Sequence, residues 1–353
     1  MPYQDELKLQ LDEKTTAVVH TLPDFCKKYF NSLKASGMSP RTRLQYAYDM
    51  KRFFDYLAGL SCFEHADLHL STASDVLDPL TIEDIQEYFE TLETYETVNA
   101  FGETETKLSS PAARARKVSS LRSFFKYYFR IGEIKNNLSD LMDVPKIPDK
   151  AIAVMTKDSV ERILAAVAAP EGLSPGEKKR HNKIQARDYA ILMTFFGTGL
   201  RVSELVGTDV KDVDFIENSI RVVRKGGDED LVYFGPEVRD ALEDYLVSAR
   251  ATLLAGEAEP ALFLSMQHRR MNVRSVELMI KGYAEKAGLN RKVTPHTLRR
   301  TFGTNLYEET GDIYLVADAL HHASVETTKR HYARMSKDHK KIAAEKSSTL
   351  FEK

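Results

Sequence analysis

The sequence predicts a mainly α-helical protein with one small β-hairpin, divided into two domains. Apolar residues recur every three or four positions in most segments, which is typical of amphipathic helices. Only residues 218–223 and 231–234 alternate as short strands do, and they flank a Lys-Gly-Gly-Asp turn. Residues 136–150 contain two prolines and no periodic pattern, which indicates a linker. We therefore expect one domain over residues 1–145 and a second over residues 146–353.

The first domain is predicted to be helical. Its predicted helices span residues 22–35, 41–57, 81–92 and 110–131. Ser39 and Thr81 each precede a helix whose free N–H groups they can cap. The apolar face of the second helix is expected to contain Leu44, Tyr48, Phe53 or Phe54, and Leu57, and that of the last helix Leu121, Phe124, Phe125 and Tyr128. A polar stretch at residues 99–108 is predicted to be a loop.

The second domain is predicted to combine helices with the hairpin. Its predicted helices span residues 157–168, 188–196, 200–205, 237–254 and 273–287. The buried helix at residues 188–196 is expected to stop at Gly197-Thr198-Gly199, because glycine favours helix ends. Residues 172–185 are charged and are predicted to form a loop. The result is a mixed α/β domain.

Composition limits the class of protein. The 353-residue chain is 42% hydrophobic and 29% charged, enough apolar material for two cores. No apolar run approaches the length of a membrane span, and the charged start is unlike a signal peptide. Cys26 and Cys62 lack the spacing of zinc ligands. We expect a soluble protein of a reducing, intracellular compartment, without metal or disulfide.

The charge distribution leaves room for nucleic-acid binding. A net charge of −2 and a pI near 6.6 argue against it, since that class is usually basic. The charges are segregated, however. Residues 112–130 carry six basic residues and no acid, whereas residues 81–100 carry six acids and no base. A basic face can therefore coexist with a neutral total.

The densest group of phosphate-handling side chains lies in residues 293–332. Thr294 can cap a helix that begins with a proline, which places His296 and Arg299 in its first turn. These two side chains share one face above free N–H groups, an arrangement that suits an anion. A second helix, over residues 313–320, leads into His321-His322. Tyr332 follows among basic neighbours, which favour the phenolate that an attacking oxygen requires.

Two further residues are candidates for phosphate chemistry. Arg201 follows a double-glycine break, and Glu204 lies one turn later, where it can hold the guanidinium for bidentate contact with phosphate. Lys225 lies at the tip of the predicted hairpin, where a long amine could reach a groove and give up a proton. Taken alone, each is more often a solvated surface charge.

Taken together and in order, Arg201, Lys225, His296-x-x-Arg299, His322 and Tyr332 resemble the tyrosine recombinases, the family of phage integrases and Xer-type site-specific recombinases. The local matches are GTGLRVSEL, TPHTLRRTF and LHHASVETTKRHY, and SPRTRLQYAYDMKRFFDYL resembles the helical core-binding domain. The resemblance covers nearly the whole chain. Its size, the polar insert before residue 188 and the tail are similar to the XerS-like branch, which acts without a partner paralogue. The implied fold is a two-domain DNA clamp, with a core-binding domain at residues 1–145 and a catalytic domain at residues 146–353.

The sequence departs from the family pattern at three points. The usual Leu-Gly-His is Leu320-His321-His322, so either histidine could act; the Ala-Ser that follows favours His322. The spacing from there to Tyr332 is one residue longer than is commonest. The hairpin after Lys225 is acidic at residues 228–230, where relatives often carry bases.

The resemblance implies a reaction in which Tyr332 attacks a DNA phosphodiester. Arg201, Arg299 and His322 would stabilise the developing charge, Lys225 would protonate the leaving 5′ oxygen, and His296 would assist as acid or base. No cofactor and no metal are implied. The implied partners are double-stranded DNA with a specific recombination site, a homotetramer on that DNA, and a division-associated DNA translocase. The implied location is the cytoplasm, at the nucleoid.

The candidate DNA contacts outside the catalytic set are basic residues of the two helices and one catalytic-domain arginine. They are Arg41, Arg43, Arg52, Arg114, Arg116, Lys117, Arg122 and Arg300. Two alternative functions stay open. One is a catalytically impaired DNA-binding regulator on the same scaffold, favoured by the acidic hairpin and shifted tyrosine. The other is strand relaxation of the type IB topoisomerase kind, against which the helical N-terminal domain argues.

Overall fold

The structure is a computed structural model that describes residues 3–63, 67–98, 102–147, 153–168, 174–224, 227–254, 256, 258–289, 292–321 and 325. Contacts between residues divide the chain into two compact units, Met1–Lys150 and Ala151–Lys353. The division falls at the end of the predicted linker. Helices predominate in both units, and the β-sheets are small and antiparallel. The predicted fold class is therefore confirmed.

The N-terminal unit consists of helices and one hairpin. The helices are α1 (Tyr3–Val19), α2 (Cys26–Ala35), α3 (Pro40–Leu57), α4 (Ala73–Leu77), α5 (Ile82–Thr91) and α6 (Pro111–Arg130), with 3-10 turns at Ser61–Phe63 and Leu138–Leu141. Strands β1 (Thr94–Val98) and β2 (Thr104–Leu108) pair antiparallel between α5 and α6.

Side-chain caps explain where the predicted helices of this unit begin. The hydroxyl of Ser39 accepts from the N–H of Thr42 at 3.2 Å, ahead of a proline at the first position of α3. Thr81 and Asp84 satisfy each other's backbone N–H groups in a capping box at the start of α5. Ser110 caps α6 in the same way as Ser39 caps α3. These starts therefore lie within one residue of the predicted ones.

Aromatic side chains form the core of the N-terminal unit. The Phe53 ring centroid lies 5.1 Å from that of Tyr88 and 6.3 Å from that of Phe125, in edge-to-face pairs. The predicted stripe on α6, which consists of Leu121, Phe124, Phe125 and Tyr128, is buried throughout. Tyr48 is 48% exposed, so its expected place in the core is wrong. The buried face of α3 runs through Ala47 instead.

Helices α1 and α4 and strands β1 and β2 of this unit were not predicted. Helix α1 buries only Thr15 and Val19 among its described side chains, because its apolar residues are spread around the helix rather than on one face. The predicted loop at residues 99–108 is in fact partly strand β2. Both β1 and β2 leave most side chains exposed on both faces. Such strands lack the apolar alternation from which strands are predicted.

The C-terminal unit consists of helices and a three-stranded sheet. The helices are α7 (Lys157–Ala168), α8 (Pro175–Thr198), α9 (Val202–Gly207), α10 (Pro236–Asp244), α11 (Ala251–Leu254), α12 (Val273–Lys286), α13 (Pro295–Thr310) and α14 (Ile313–Ala319), with a 3-10 turn at Val210–Asp212. A π-helical segment, Tyr245–Arg250, joins α10 to α11, so the predicted helix at 237–254 is continuous. Strands β3 (Val213–Asp214), β4 (Ser219–Val223) and β5 (Glu229–Tyr233) pair antiparallel in that order, which confirms the predicted hairpin.

The charged stretch is helical from Pro175 onward, so the predicted loop at 172–185 is wrong over residues 175–185. Helix α8 begins with a capping box between Ser174 and Glu177, with Pro175 at its first position. Lysine, arginine, glutamate and glutamine are good helix formers. Most side chains in the first turns are exposed, so no apolar stripe marks the helix in the sequence.

Among the described residues, no helix has both the length and the apolar composition that a membrane span needs.

Candidate active site

Arg201 is positioned by the abrupt end of α8. Gly199 ends the helix with a positive φ of 62°, a conformation that side chains rarely adopt. A Cβ at this position would also overlap the ring of Phe302. The turn places Arg201 at the start of α9, where its main-chain N–H donates to Oε2 of Glu204 at 2.8 Å. Its Nη1 donates to Oε1 of Glu204 at 2.7 Å, so one carboxylate holds both its backbone and its guanidinium.

Glu204 is itself buried and binds a second arginine. Nη1 of Arg224, at the end of β4, lies 3.0 Å from Oε2 of Glu204. Burial raises the pKa of Glu204, but the hydrogen bonds from Arg201 and the charge of Arg224 outweigh it, so the pKa lies below its usual value. Glu204 is therefore an ionised carboxylate between two guanidinium groups.

One acid of the hairpin, Asp230, has a structural role. Oδ2 of Asp230, on β5, accepts from Nε of Arg224 at 3.0 Å and from its Nη2 at 2.8 Å. The same oxygen lies 3.3 Å from Nδ1 of His321. Asp230 therefore neutralises a buried arginine and contacts the residue just before His322. Sequence reasoning missed Arg224 and Asp230, although opposite charges on the two arms of a predicted hairpin were a usable signal.

Helix α13 carries His296 and Arg299. Thr294 caps the helix by accepting from the N–H of Thr297 at 3.2 Å, so it begins where the sequence predicts. His296 is exposed in the first turn, whereas Arg299 is buried. The guanidinium of Arg299 donates to the carbonyl oxygens of Gly199 and Leu320. Arg299 thus ties the end of α8 to the end of α14.

Both candidate arginines converge on the end of α14. Asp312 caps the start of this helix by accepting from the N–H groups of Tyr314 and Leu315. At the other end, Arg299 donates to the carbonyl of Leu320, and Nη2 of Arg201 donates to the carbonyl of His321 at 3.2 Å. His321 has a positive φ of 45°, so the chain turns sharply there. A cavity of about 910 Å³ opens beside it, and its lining includes Arg224, Asp230, Phe302, Leu315 and His321.

Three predicted site residues lie outside the described residues. They are Lys225, His322 and Tyr332. Their immediate chain neighbours Arg224 and His321 are described and both belong to the network around Glu204. Of the two candidate histidines, the structure describes only His321, whose ring lies beside Asp230.

The candidate DNA contacts on α3 differ sharply. Arg41 is exposed. Arg43 is only 5% exposed and donates to Oδ1 of Asp12 at 2.7 Å and to the carbonyl of Met38 at 3.1 Å. The guanidinium of Arg43 is bonded within the fold, and its burial argues against the predicted contact with DNA. Arg52 donates to the carbonyl of Thr91 at 2.9 Å, which still leaves part of its guanidinium at the surface.

The basic residues of α6 are partly paired with acids. Arg114 donates to Glu93 at 2.9 Å, and Arg116 donates to the buried Asp49. Burial raises the pKa of Asp49, against the opposing effect of Arg116. Burial and then the charge of Arg52 lower the pKa of Lys117.

Arg122 of α6 and Arg300 of α13 are half-buried. Nε of Arg300 is buried without a hydrogen-bond partner among the described residues. Arg41, Arg52, Arg114, Arg116, Lys117, Arg122 and Arg300 stay candidates. Within the part of the chain that the structure describes, no group of three or more histidine, cysteine or acidic side chains is placed to hold a metal ion.

Comparison with known proteins identifies the family. The sequence profile of the phage integrase family matches residues 153–339. The chain is 36% identical to the tyrosine recombinase XerC of Herpetosiphon aurantiacus over 227 residues, which are 64% of this chain and 69% of that one. It is 33% identical to the tyrosine recombinase XerD of Oceanobacillus iheyensis over 220 residues, 62% of this chain and 70% of that one.

A solved structure extends the likeness to the whole fold. The XerH site-specific recombinase bound to a palindromic difH substrate superposes with a TM-score of 0.61 and 18% identity, over 97% of this chain and 94% of the other. The chain belongs to the phage integrase family. Its relatives place it among the Xer-type members, so it is a tyrosine site-specific recombinase.

Proposed function

We propose that the chain cuts and rejoins double-stranded DNA at a specific recombination site, with Tyr332 as the nucleophile. The phenolic oxygen of Tyr332 attacks a phosphorus atom of one strand, a 3′-phosphotyrosyl bond forms, and the bond to the 5′ oxygen breaks. The leaving oxygen takes up a proton and departs as a 5′-hydroxyl. Because the new phosphodiester keeps the energy of the broken one, the reaction requires no nucleotide cofactor and no metal.

The convergence of Arg201 and Arg299 is the observation that carries this proposal. Arg201 donates to the carbonyl of His321, and Arg299 donates to the carbonyl of the preceding residue, Leu320. Two cations held this close suit an anion with several oxygens, such as a phosphodiester. In the reaction they exchange these carbonyls for phosphoryl oxygens. Each then stabilises the charge that develops there, by about 3 kcal/mol.

The other predicted residues complete the proton transfers. Lys225 protonates the departing 5′ oxygen, and His296, in the exposed first turn of α13, acts as acid or base at the tyrosine oxygen. His322 donates to a phosphoryl oxygen. His321 is less suited to that role because Asp230 already engages its ring.

Strand exchange sets the proposed assembly. A 5′-hydroxyl from the partner duplex attacks the phosphotyrosyl bond, which rejoins the strands and releases Tyr332. Two exchanges of this kind pass through a Holliday junction. Each chain carries one nucleophile, so a homotetramer on two duplexes supplies the four active sites.

Two biological roles fit this reaction. One is chromosome dimer resolution at the nucleoid in the cytoplasm, where a division-associated DNA translocase would be the partner. The other is the integration or excision of a mobile element. Sequencing of DNA captured as covalent adducts in cells distinguishes them, since a single chromosomal site supports the first and element ends support the second.

The alternative of a catalytically impaired regulator loses one argument. The acidic hairpin suggested lost phosphate chemistry, but Asp230 is the partner of the buried Arg224. That pairing gives one of the three hairpin acids, Asp230, a structural role. The type IB topoisomerase alternative has no specific support in the geometry of the described residues.

A suicide substrate tests the proposal. A duplex with a nick next to the cleavage position loses its short 5′-hydroxyl fragment, so the covalent adduct accumulates and is counted on a denaturing gel. We expect an adduct of one chain per cut strand. DNA binding without any adduct would support the regulator instead, and relaxation of plasmids lacking the site would support the topoisomerase.

A further inference from the structure

Arg224 is a buried arginine that the proposed reaction does not use. Its side chain is 4% exposed at the end of β4. It lies 3.0 Å from Oε2 of Glu204 on one side and 2.8 Å from Oδ2 of Asp230 on the other. A single guanidinium thus joins α9 to β5. Leaving a buried charge without partners is costly, so these contacts fix the position of Arg224.

These contacts close a ring around the site. Glu204 binds Arg201 and Arg224, Asp230 binds Arg224 and lies 3.3 Å from His321, and the carbonyl of His321 accepts from Arg201 at 3.2 Å. The ring links the start of α9, the two arms of the hairpin and the end of α14. Only a bidentate side chain at position 224 can bind both carboxylates at once.

Arg224 also changes the charge available to a phosphate. Glu204 is buried and ionised, and its pKa is held low by the hydrogen bonds from Arg201 together with the charge of Arg224, against the effect of burial. If Arg224 were absent, the whole negative charge of Glu204 would act on Arg201. The guanidinium of Arg201 would then be electrostatically neutralised before a phosphate arrived.

We propose that Arg224 is a positioning residue for cleavage, which offsets the charge of Glu204 so that the positive charge of Arg201 acts on the scissile phosphate, and which holds the hairpin against the end of α14. The inference rests on the proposed function, because it assigns Arg201 to the phosphate. It extends to the general acid as well. Lys225 follows Arg224 in the chain, so anchoring Arg224 fixes one end of the peptide unit that leads to Lys225.

Four variants test the proposal in single-turnover cleavage of the suicide substrate. Arg224→Lys keeps the charge but cannot bind both carboxylates. Arg224→Met removes the charge at similar length. The double variant Arg224→Met with Glu204→Gln removes the opposing charge too. Arg239→Lys is the matched control, since Arg239 forms an ion pair with Glu243 on α10, in the same unit.

We expect Arg224→Lys to slow cleavage roughly tenfold, less than the loss of a direct phosphate donor. Arg224→Met should be slower still, and Glu204→Gln should restore part of its rate. DNA affinity, measured separately on an uncleavable duplex, should stay within about twofold because no phosphate contact is removed. Arg239→Lys should match the wild type. Rescue of the cleavage rate by Glu204→Gln supports the proposal when Arg224→Met and the double variant have equal melting temperatures, because relief of a buried unpaired carboxylate would also raise the melting temperature.

The outcomes separate the two proposals. If the wild type forms no adduct, the proposed function fails. If the wild type cleaves and both single Arg224 variants cleave within twofold of it, the role of Arg224 is wrong. It is also wrong if the double variant is no faster than Arg224→Met while both lose melting temperature. The double variant leaves no unpaired buried carboxylate at Glu204 and should therefore fold even if Arg224→Met does not. Its cleavage rate can then be compared directly with that of the wild type.

Discussion

Nη2 of Arg201 lies 3.2 Å from the carbonyl oxygen of His321. A candidate catalytic arginine is therefore bonded to the backbone that leads directly into His322. The contact has to be released, or shared, when the arginine binds a phosphate. It follows that placement of the end of α14 and engagement of DNA are linked events.

The first prediction concerns the nucleophile. Tyr332→Phe should abolish the covalent adduct and leave DNA affinity nearly unchanged, because it removes one oxygen and no cation. The adduct is measured on a denaturing gel and binding by mobility shift. Tyr314→Phe is the control, since Tyr314 lies on α14 and is 65% exposed. Wild-type cleavage by Tyr332→Phe together with loss in Tyr314→Phe would reassign the nucleophile.

The second prediction concerns Arg299. Arg299→Lys should lower the single-turnover cleavage rate by about 10²–10³, because lysine cannot reproduce two directed N–H donors to a phosphate. It should also lower the melting temperature of the DNA-free protein, since the carbonyls of Gly199 and Leu320 lose a buried donor. Arg274→Lys, at an exposed ion pair on α12, serves as control. Normal cleavage by Arg299→Lys would place the phosphate elsewhere.

The third prediction uses two arginines of α3 that lie two residues apart. Arg41→Ala should weaken DNA binding and reduce the slope of log affinity against log salt by about 1, with no change in melting temperature. Arg43→Ala should lower the free energy of unfolding by about 1–3 kcal/mol, because it removes the hydrogen bonds of a buried guanidinium to Asp12 and to the carbonyl of Met38, and should leave the salt slope unchanged. Salt titrations and urea unfolding measure the two effects. An unchanged slope in Arg41→Ala would remove that face of α3 from the footprint.

The fourth prediction compares two glycines with positive φ at helix ends. Gly199→Ala should destabilise the protein by more than Gly311→Ala, because a Cβ at 199 meets Phe302 whereas a Cβ at 311 meets nothing. Backbone strain of about 1 kcal/mol is common to both. The excess should appear in urea midpoints, and cleavage should fall only in Gly199→Ala, which displaces Arg201. Equal effects of the two substitutions would mean that Phe302 moves aside freely.

The fifth prediction is a pH dependence. Hydrogen bonds from Arg201 and the charge of Arg224 hold the folded-state pKa of Glu204 below its usual value of 4.5, against burial. Between these two pKa values the unfolded chain binds more protons, so stability rises with pH across that window and is lost as pH falls through it. Glu204→Gln should remove this part of the dependence. Urea unfolding between about pH 3 and pH 6 measures it, and parallel curves for the two proteins would contradict the prediction.

Much of the fold was accessible from local chemistry. Ser39, Thr81, Ser110 and Thr294 each satisfy N–H groups within three residues, so the sequence alone predicts where their helices begin. The contact between Arg201 and Glu204 is equally local, one helical turn long. By contrast, the burial of Arg43 depends on Asp12, which lies on α1, a helix without an apolar stripe.

The contact between Arg224 and Glu204, which sequence reasoning missed, joins separate elements of the fold. Arg224 meets Glu204 and Asp230 only once α9, β4 and β5 have been brought together. The predicted hairpin places Arg224 near Asp230, but nothing in the spacing of these residues specifies the contact with Glu204. The first half of α8 escaped prediction for the opposite reason, since its charged residues favour a helix locally but show no buried face.

The hydrogen bond from the main-chain N–H of Arg201 to Glu204 has a genetic consequence. That bond does not need the arginine side chain, so a variant at this position keeps its helix start and can fold while failing at the phosphate. In the proposed tetramer, such a subunit would still occupy its place beside active ones. In a cell that makes both kinds of subunit, most tetramers would contain at least one defective subunit and would fail in strand exchange. Alleles of Arg201 should therefore behave as dominant rather than recessive.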